Sequence, residues 1–345
     1  MFKNRIIYHQ RASTILYNIL LSQGDLEKYY LIPSNVCPIV ICVFLKAGKN
    51  FELVDITPDD LCIDQQEVLR RIQAHPEKYN GLLFVRTYGL ECDASHFFAQ
   101  IKSENESFLV VDDACLATPQ LRQENTVADI ELFSTGYSKY ADLGYGGYAF
   151  LADSVKYGKH KLPYLEREHL HLQQMLNDAI VSKTPFQYTD SPWLNTENPE
   201  WESGEYLNKV MEEKAASKKI KDELNAYYST HLPIDIQLGS GYQNWRYNIL
   251  VPAKDLLLKK IFKQGLFASS HYYPASQLFR DQQANYTECL YNHVVNLFND
   301  KRFDLPRAKQ LVEIILEHIL QYKKSGEDQS VFDQVSIQMG LKSRA

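Results

Sequence analysis

Ser-Thr-Gly-Tyr-Ser-Lys-Tyr-Ala-Asp-Leu-Gly-Tyr-Gly-Gly, from Ser134 to Gly147, is the stretch whose reading decides the fold. Apolar runs flank it: Ile130 to Phe133 ahead and Tyr148 to Leu151 behind both read as strands. Between them one lysine, Lys139, sits among small and hydroxylated residues, and Gly144, Gly146 and Gly147 follow. Glycine has no side chain to keep a ligand away from the backbone. Ser134, Thr135 and Ser138 are donors of the kind that bind phosphate oxygens. Lys139 can form a Schiff base with a carbonyl compound, or pair with a phosphate as a plain charge. A solvent-facing lysine in a glycine-rich turn between strands reads the same way in isolation.

Working outward, Phe108-Leu-Val-Val-Asp-Asp-Ala-Cys is an apolar strand that ends in two acids, Asp112 and Asp113. In open α/β sheets ligands bind beyond the carboxyl ends of the strands. A carboxylate there can hold a proton on a pyridine nitrogen and so make the ring a better electron sink. Taken together, these two stretches resemble the DegT/DnrJ/EryC1/StrS family of pyridoxal-phosphate aminotransferases, of the aspartate-aminotransferase fold group. That family shows a strand ending Glu-Asp-Ala-Ala-Gln, matched by Asp112-Asp113-Ala114-Cys115-Leu116. It then shows Ser-Phe, three residues, Lys, and a Gly-Glu-Gly-Gly turn, matched by Ser134, Lys139 and Gly144 to Gly147.

The resemblance implies pyridoxal 5'-phosphate as cofactor, Asp113 on its pyridine nitrogen, Lys139 as the Schiff-base lysine and Ser134 on its phosphate. It places Ala12 and Ser13 where the family binds phosphate through helix N-terminal amides, although an ordinary helix cap by Ser13 reads equally well. It implies amino transfer from an amino acid such as glutamate to a nucleotide-linked keto-sugar, in surface-polysaccharide or secondary-metabolite biosynthesis. A homodimer follows from the family's habit of building each site at a subunit boundary. The chain departs from the pattern twice. Cys37 stands where the family carries an aromatic that stacks on the ring, and Leu116 stands for a glutamine that reaches the cofactor's phenolic oxygen.

Repeated strand–helix units between residues 1 and 182 imply an α/β, three-layer sandwich with a mostly parallel central sheet. Residues 183–204 read as a linker or subunit-crossing loop, with Trp193 and Asn195 as candidate pocket-wall residues and aromatics suited to a subunit contact. A smaller α+β C-terminal domain takes 205–325, and 326–345 is a polar tail. Within the smaller domain, 234–238 and Tyr247 to Val251 read as strands, Tyr286 to Phe298 as a helix, and Lys218, Lys219 and Lys221 as a solvated flank. Ser270-His271-Tyr272-Tyr273-Pro274 resembles the family's Tyr-Tyr-Pro stretch near the substrate entrance, which makes His271 and Tyr272 candidate substrate contacts. Arg246 carries a guanidinium suited to a carboxylate or phosphate, or to a surface ion pair. His169 and His171, two apart, read as surface or interface residues.

The 345 residues carry a formal charge of −6, which gives no case for nucleic-acid binding. No apolar run reaches the roughly 18 residues of a membrane span, and the N-terminus lacks signal-peptide regions. The six cysteines show no metal-ligand spacing and read as thiols of a reducing cytoplasm. Besides the keto-sugar aminotransferase, two readings stay open: another enzyme of the same cofactor, such as a lyase, a dehydratase or an amino-acid-acting transferase, and a noncatalytic protein that keeps the fold.

Overall fold

Strands that are buried on both faces read as unbroken apolar runs, and here five of them lie parallel at the centre of the molecule. The computed structural model describes residues 5–24, 27–121, 127–280 and 282–324. In chain order the first half comprises β1 (Arg5–His9), α1 (Ala12–Ser22), β2 (Tyr29–Pro33), α2 (Pro38–Lys46) and β3 (Asn50–Val54). Then come α3 (Gln65–Ala74), β4 (Tyr79–Val85), α4 (Ser95–Glu104), β5 (Leu109–Asp113), β6 (Ile130–Ser134) and β7 (Gly147–Leu151). These strands form one seven-stranded sheet in the order β1-β7-β6-β5-β4-β2-β3, and only β7 runs against its neighbours.

Alternate residues along each strand face opposite helical layers. Leu109 and Val111 of β5 pack with α1 and α2, whereas Val110 packs with α3 and α4. The three-layer arrangement expected from the strand–helix repeat is the one found. Local chemistry sets the helix starts: Pro38 occupies the first turn of α2, and the Asp64 side chain accepts from Glu67 N at 3.0 Å to cap α3.

The second half comprises α5 (Glu166–Ser182), α6 (Ser203–His231), β8 (Tyr247–Leu250), α7 (Lys254–Lys263), β9 (Ala268–Ser269), α8 (Ala275–Phe279), α9 (Asn285–His293), β10 (Val294–Leu297) and α10 (Leu305–Lys324). A three-stranded antiparallel sheet, β8-β10-β9, shares a core with α6, α7 and α10 through Leu224, Ile249, Ile261, Val295 and Ile315. Two sequence expectations fail here. Residues 234–238 are not a strand: Ile234–Ile236 is a 3-10 turn after Pro233, Ile234 is exposed, and Gln237 makes one isolated bridge to Ile249. The helix expected to run to Phe298 stops at His293, because Val294 and Val295 pair with Leu250 and Ile249 as the central strand of the small sheet. Tertiary pairing overrides the helical periodicity of that segment.

Lys221 also departs from its expected solvent position. It is buried, and its ammonium donates to Trp245 O at 2.9 Å and Asn299 Oδ1 at 2.8 Å. Burial pushes its pKa down to about 7. The aromatics of 183–204 pack inside the chain: Phe186 and Trp193 are buried in the core beneath α1 and α5, and Phe186 N donates to Leu278 O at 2.7 Å. The polar tail lies outside the described residues. Among the described residues no helix is long and apolar enough to cross a membrane.

Candidate active site

The two acids at the end of β5 separate by the strand's own geometry. Asp112 pairs in register with Phe84, and Asp113 with Val85, so their side chains leave the sheet on opposite faces. Asp112 turns toward the α3–α4 layer and meets Arg86 in a two-pronged ion pair, Nε to Oδ1 at 2.9 Å and Nη2 to Oδ2 at 2.7 Å. Burial pushes the Asp112 carboxyl upward against the pull of Arg86. Asp113 turns the other way, into a cavity of about 320 Å³, and its Oδ1 accepts from Cys115 N at 3.0 Å.

That cavity gathers residues far apart in the chain. Ala12 and Ser13 reach it from the first turn of α1, and Cys37 from the residue before α2. Cys115 and Leu116 follow the end of β5, Ser134 is the last residue of β6, and Lys139 comes from the loop between β6 and β7. Arg11 is the residue before α1, and no side chain caps that helix. Ser13 lies within the first turn, so it is not the N-cap that one sequence reading allows. This turn, whose start no side chain caps, borders the cavity.

Two glycines make this closeness possible. Gly146 has φ +91°, and its N–H donates to Gln10 O at 2.7 Å. A Cβ on Gly147 would lie 2.5 Å from Ala12 N and 2.7 Å from Ala12 Cα. The Gly147→Ala variant is therefore expected to push α1 away from β7. The expected loss is about 1–3 kcal/mol, the cost of forcing an extra methyl into a packed site. A denaturant midpoint equal to that of the wild type would contradict this.

Of Ser134, Thr135 and Ser138, only Ser134 lines the cavity. The Thr135 hydroxyl is buried and donates to Tyr145 O at 2.7 Å, with Tyr206 Oη at 2.6 Å. Ser138 faces away and meets Arg246. Arg246 itself is only 2% exposed, does not line the cavity, and pairs with Asp300.

Tyr272 lines the cavity. Its ring stacks on Trp245 at 6.3 Å, and Trp245 stacks on Tyr88 at 6.2 Å. His271 stays behind this stack, with its ring 5.5 Å from Trp245 and its backbone N–H donating to Asn296 Oδ1 at 2.9 Å. Burial, with Arg246 nearby, pushes its pKa down to about 4, so the imidazole is neutral at pH 7.

Other lining residues escape the sequence reading, Arg11 among them. His169 and Gln173, four apart on one face of α5, reach the cavity, and so does Tyr137. The spacing of His169 and Gln173 was the available signal. His169 stacks on Trp193 at 6.5 Å, so Trp193 stands behind the wall. Asn195 is held nearby through its carbonyl, which accepts from Thr14 Oγ1 at 2.6 Å.

A larger open groove of about 520 Å³ runs along β3, with Glu52, Arg70, Arg71 and Lys78 in its lining. Arg70 and Arg71 pair with Glu67, Lys78 pairs with Glu52, and the Arg280 guanidinium lies over the Phe51 ring, so the lysine and carboxylate of this groove are already tied to each other. The smaller cavity, which holds Lys139 and Asp113 together, is the candidate site. Among the described residues no group of His, Cys, Asp or Glu is arranged to hold a metal.

No protein-family model and no curated protein matches the chain. Solved structures do. A DegT DnrJ EryC1 StrS aminotransferase from Brucella abortus superposes with TM-score 0.67 at 15% identity, covering 91% of this chain and 86% of that one. PseC of Helicobacter pylori, an aminotransferase involved in the biosynthesis of pseudoaminic acid, gives 0.65 at 16% identity over 92% and 87%. NtdA of Bacillus subtilis, with the cofactor PMP bound, gives 0.66 at 18% identity over 92% and 74%. The chain has the fold of these aminotransferases, as the resemblance in its sequence implies.

Proposed function

We propose that the chain is a pyridoxal-phosphate-dependent aminotransferase that moves an amino group from an amino acid to a keto-sugar. One observation carries this reading: Lys139, Asp113, Ser134 and the uncapped first turn of α1 border a single cavity. The fold shared with the structures above, two of them aminotransferases by name and the third solved with PMP bound, supports it.

The residues present fit the cofactor. An anion suits the N-terminal turn of α1, which no side chain caps, with the Ser13 and Ser134 hydroxyls beside it. The bare Gly147 keeps a methyl off Ala12 N, so the cradle stays open. A protonated ring nitrogen suits Asp113, whose carboxylate favours the charged form of a neighbouring cation. Cys37, Val36 and Leu116 offer an apolar surface for the ring.

When bound, the cofactor supplies the electron sink for a carbanion at the donor's α-carbon. Every other part belongs to the chain. Asp113 holds the proton on the ring nitrogen. Lys139 Nζ takes the proton from the donor's α-carbon and later returns one to the acceptor's carbon. Ser13, Ser134 and the α1 amides hold the anionic end in register with Lys139. Tyr272, fixed by its stack on Trp245, closes the side facing the small sheet.

Incubation with pyridoxal phosphate, borohydride reduction and peptide mass mapping should place the pyridoxyl group on Lys139. Labelling only at other lysines would refute the assignment. A lyase or dehydratase is the second reading. Leu116 favours it, because it lines the cavity where the resemblance predicts a glutamine and cannot donate a hydrogen bond. A donor and keto-sugar screen separates the two, since only a transferase returns aminated sugar.

The assembly we propose is a homodimer. Leu170 and Val181 are exposed on α5, the helix that also brings His169 and Gln173 to the cavity, and Tyr137 at the cavity rim is 72% exposed. Sedimentation is expected to show a dimer, and a fully active monomer would rule it out.

A further inference from the structure

We infer that Arg246 and Trp245, with the Asp300–Arg302 turn, are positioning groups that aim Lys139 by gripping Ser138. This rests on the role proposed above for Lys139.

Ser138 has φ +64°, in the left-handed region that residues with a Cβ rarely adopt. Every polar atom of this residue is held. Its N–H donates to Asp142 Oδ2 at 2.8 Å, its carbonyl accepts from Trp245 Nε1 at 2.7 Å, and its hydroxyl accepts from the Arg246 guanidinium. The grip is itself braced. Asp142 also accepts from Gly144 N at 3.0 Å and pairs with Arg302. Lys301 Nζ donates to Asp142 O at 2.9 Å. Asp300 lies between Arg246 and Arg302, accepting from Arg302 Nη1 at 2.8 Å. The Arg246 guanidinium carbon lies 3.9 Å from the centre of the Phe298 ring, and Lys221 ties the Trp245 carbonyl to Asn299.

A buried ion pair is a weak device for stability, because desolvation offsets most of the Coulomb gain. What Arg246 adds is direction. Its planar fork meets Asp300 and Ser138 together, which an ammonium cannot reproduce. Lys139 is the next residue. If Ser138 relaxes to a right-handed conformation, the backbone that carries the Lys139 side chain rotates away from the cavity. The lysine loop joins β6 and β7, while Trp245, Arg246 and Asp300 to Arg302 flank β8 and β10 of the small sheet. Small-sheet position and lysine aim are therefore coupled through Ser138.

The test compares wild type with Arg246→Gln, Arg246→Lys and Ser138→Ala. In the cofactor-free chain, acetic anhydride labels amines, and the rate at Lys139 is read against exposed Lys219. The Gln and Ala variants should label Lys139 about threefold faster or more, as expected for an amine released toward solvent. Borohydride-trapped capture of pyridoxal phosphate at Lys139 should slow on the order of tenfold, the scale of a misplaced reacting group. Arg246→Lys should recover less than half of the loss. Ser138→Ala removes one hydroxyl and keeps the ion pair, so it decides the matter where Arg246→Gln does not fold. Wild-type reactivity at Lys139 in the Ala variant, or in a folded Gln variant, overturns the inference. Failure of the wild type to capture pyridoxal phosphate at Lys139 defeats the functional reading instead, while the acetylation comparison still decides this one.

Discussion

The Lys139→Ala variant is expected to fold normally and to lose amino transfer by at least ~10⁴-fold, about 5.5 kcal/mol of barrier. The loss follows from the proposed role, in which one amine both holds the cofactor and moves the proton at the donor's α-carbon. Folding should survive, since the side chain borders a cavity rather than a packed core, and substitutions away from packed or paired sites usually cost little. The Ser13 and Ser134 hydroxyls and the α1 amides remain, so the variant should still bind the cofactor without covalent capture. Equilibrium dialysis with pyridoxal phosphate, beside borohydride trapping, measures both. Lys139→Arg divides the two roles open to this residue in the sequence. Arginine keeps the positive charge but cannot form a Schiff base. Transfer retained in the arginine variant would mean that Lys139 is a plain phosphate counter-charge.

Asp113 and Asp112 should fail in different ways. Asp113→Ala is expected to slow the half-reaction with amino donor at least about a hundredfold, or roughly 2.7 kcal/mol. Its stability should stay near that of the wild type, because its side chain faces the cavity and accepts one backbone N–H. Asp113→Asn can keep that acceptor while losing the charge, so an equal loss in the Asn variant assigns the effect to the carboxylate. Asp112→Ala removes the partner of Arg86, whose side chain is only 17% exposed. Leaving one member of a buried pair alone costs about 3–5 kcal/mol. That variant should show a lowered denaturant midpoint and, while folded, a much smaller loss of rate. Single-turnover absorbance with each donor reads the first effect and urea unfolding the second. Wild-type rates in Asp113→Ala would reject its assignment to the ring nitrogen, and a larger rate loss at Asp112 would move the assignment one residue upstream.

The contrast between these acids marks where sequence reading stops. Period-2 geometry already says that neighbours on a strand face opposite ways. Which face holds the cavity depends on the helices that cover each layer, and Arg86, the partner of Asp112, lies 26 residues away. The strand–helix alternation, the acids at the end of β5, and the lysine loop before Gly146 and Gly147 were legible because each is set by local chemistry: apolar runs, helix-capping residues and glycine's freedom of φ. His169, Gln173, the burial of Lys221 and the true place of Arg246 were not. Each depends on which elements pack together, and one-dimensional periodicity assigns a charged residue to solvent unless a partner is known. Trp193 shows the same limit, since an aromatic-rich loop reads as an interface until α5 and α1 close over it. By itself the sequence determined the strand–helix architecture and the loop that presents Lys139, because short-range sterics and hydrophobic period suffice for both. Only the tertiary structure decided what Asp112 and Arg246 pair with, which residues of α5 reach the cavity, and what holds Ser138, because those are outcomes of long-range packing and of the pairing that buried charges require.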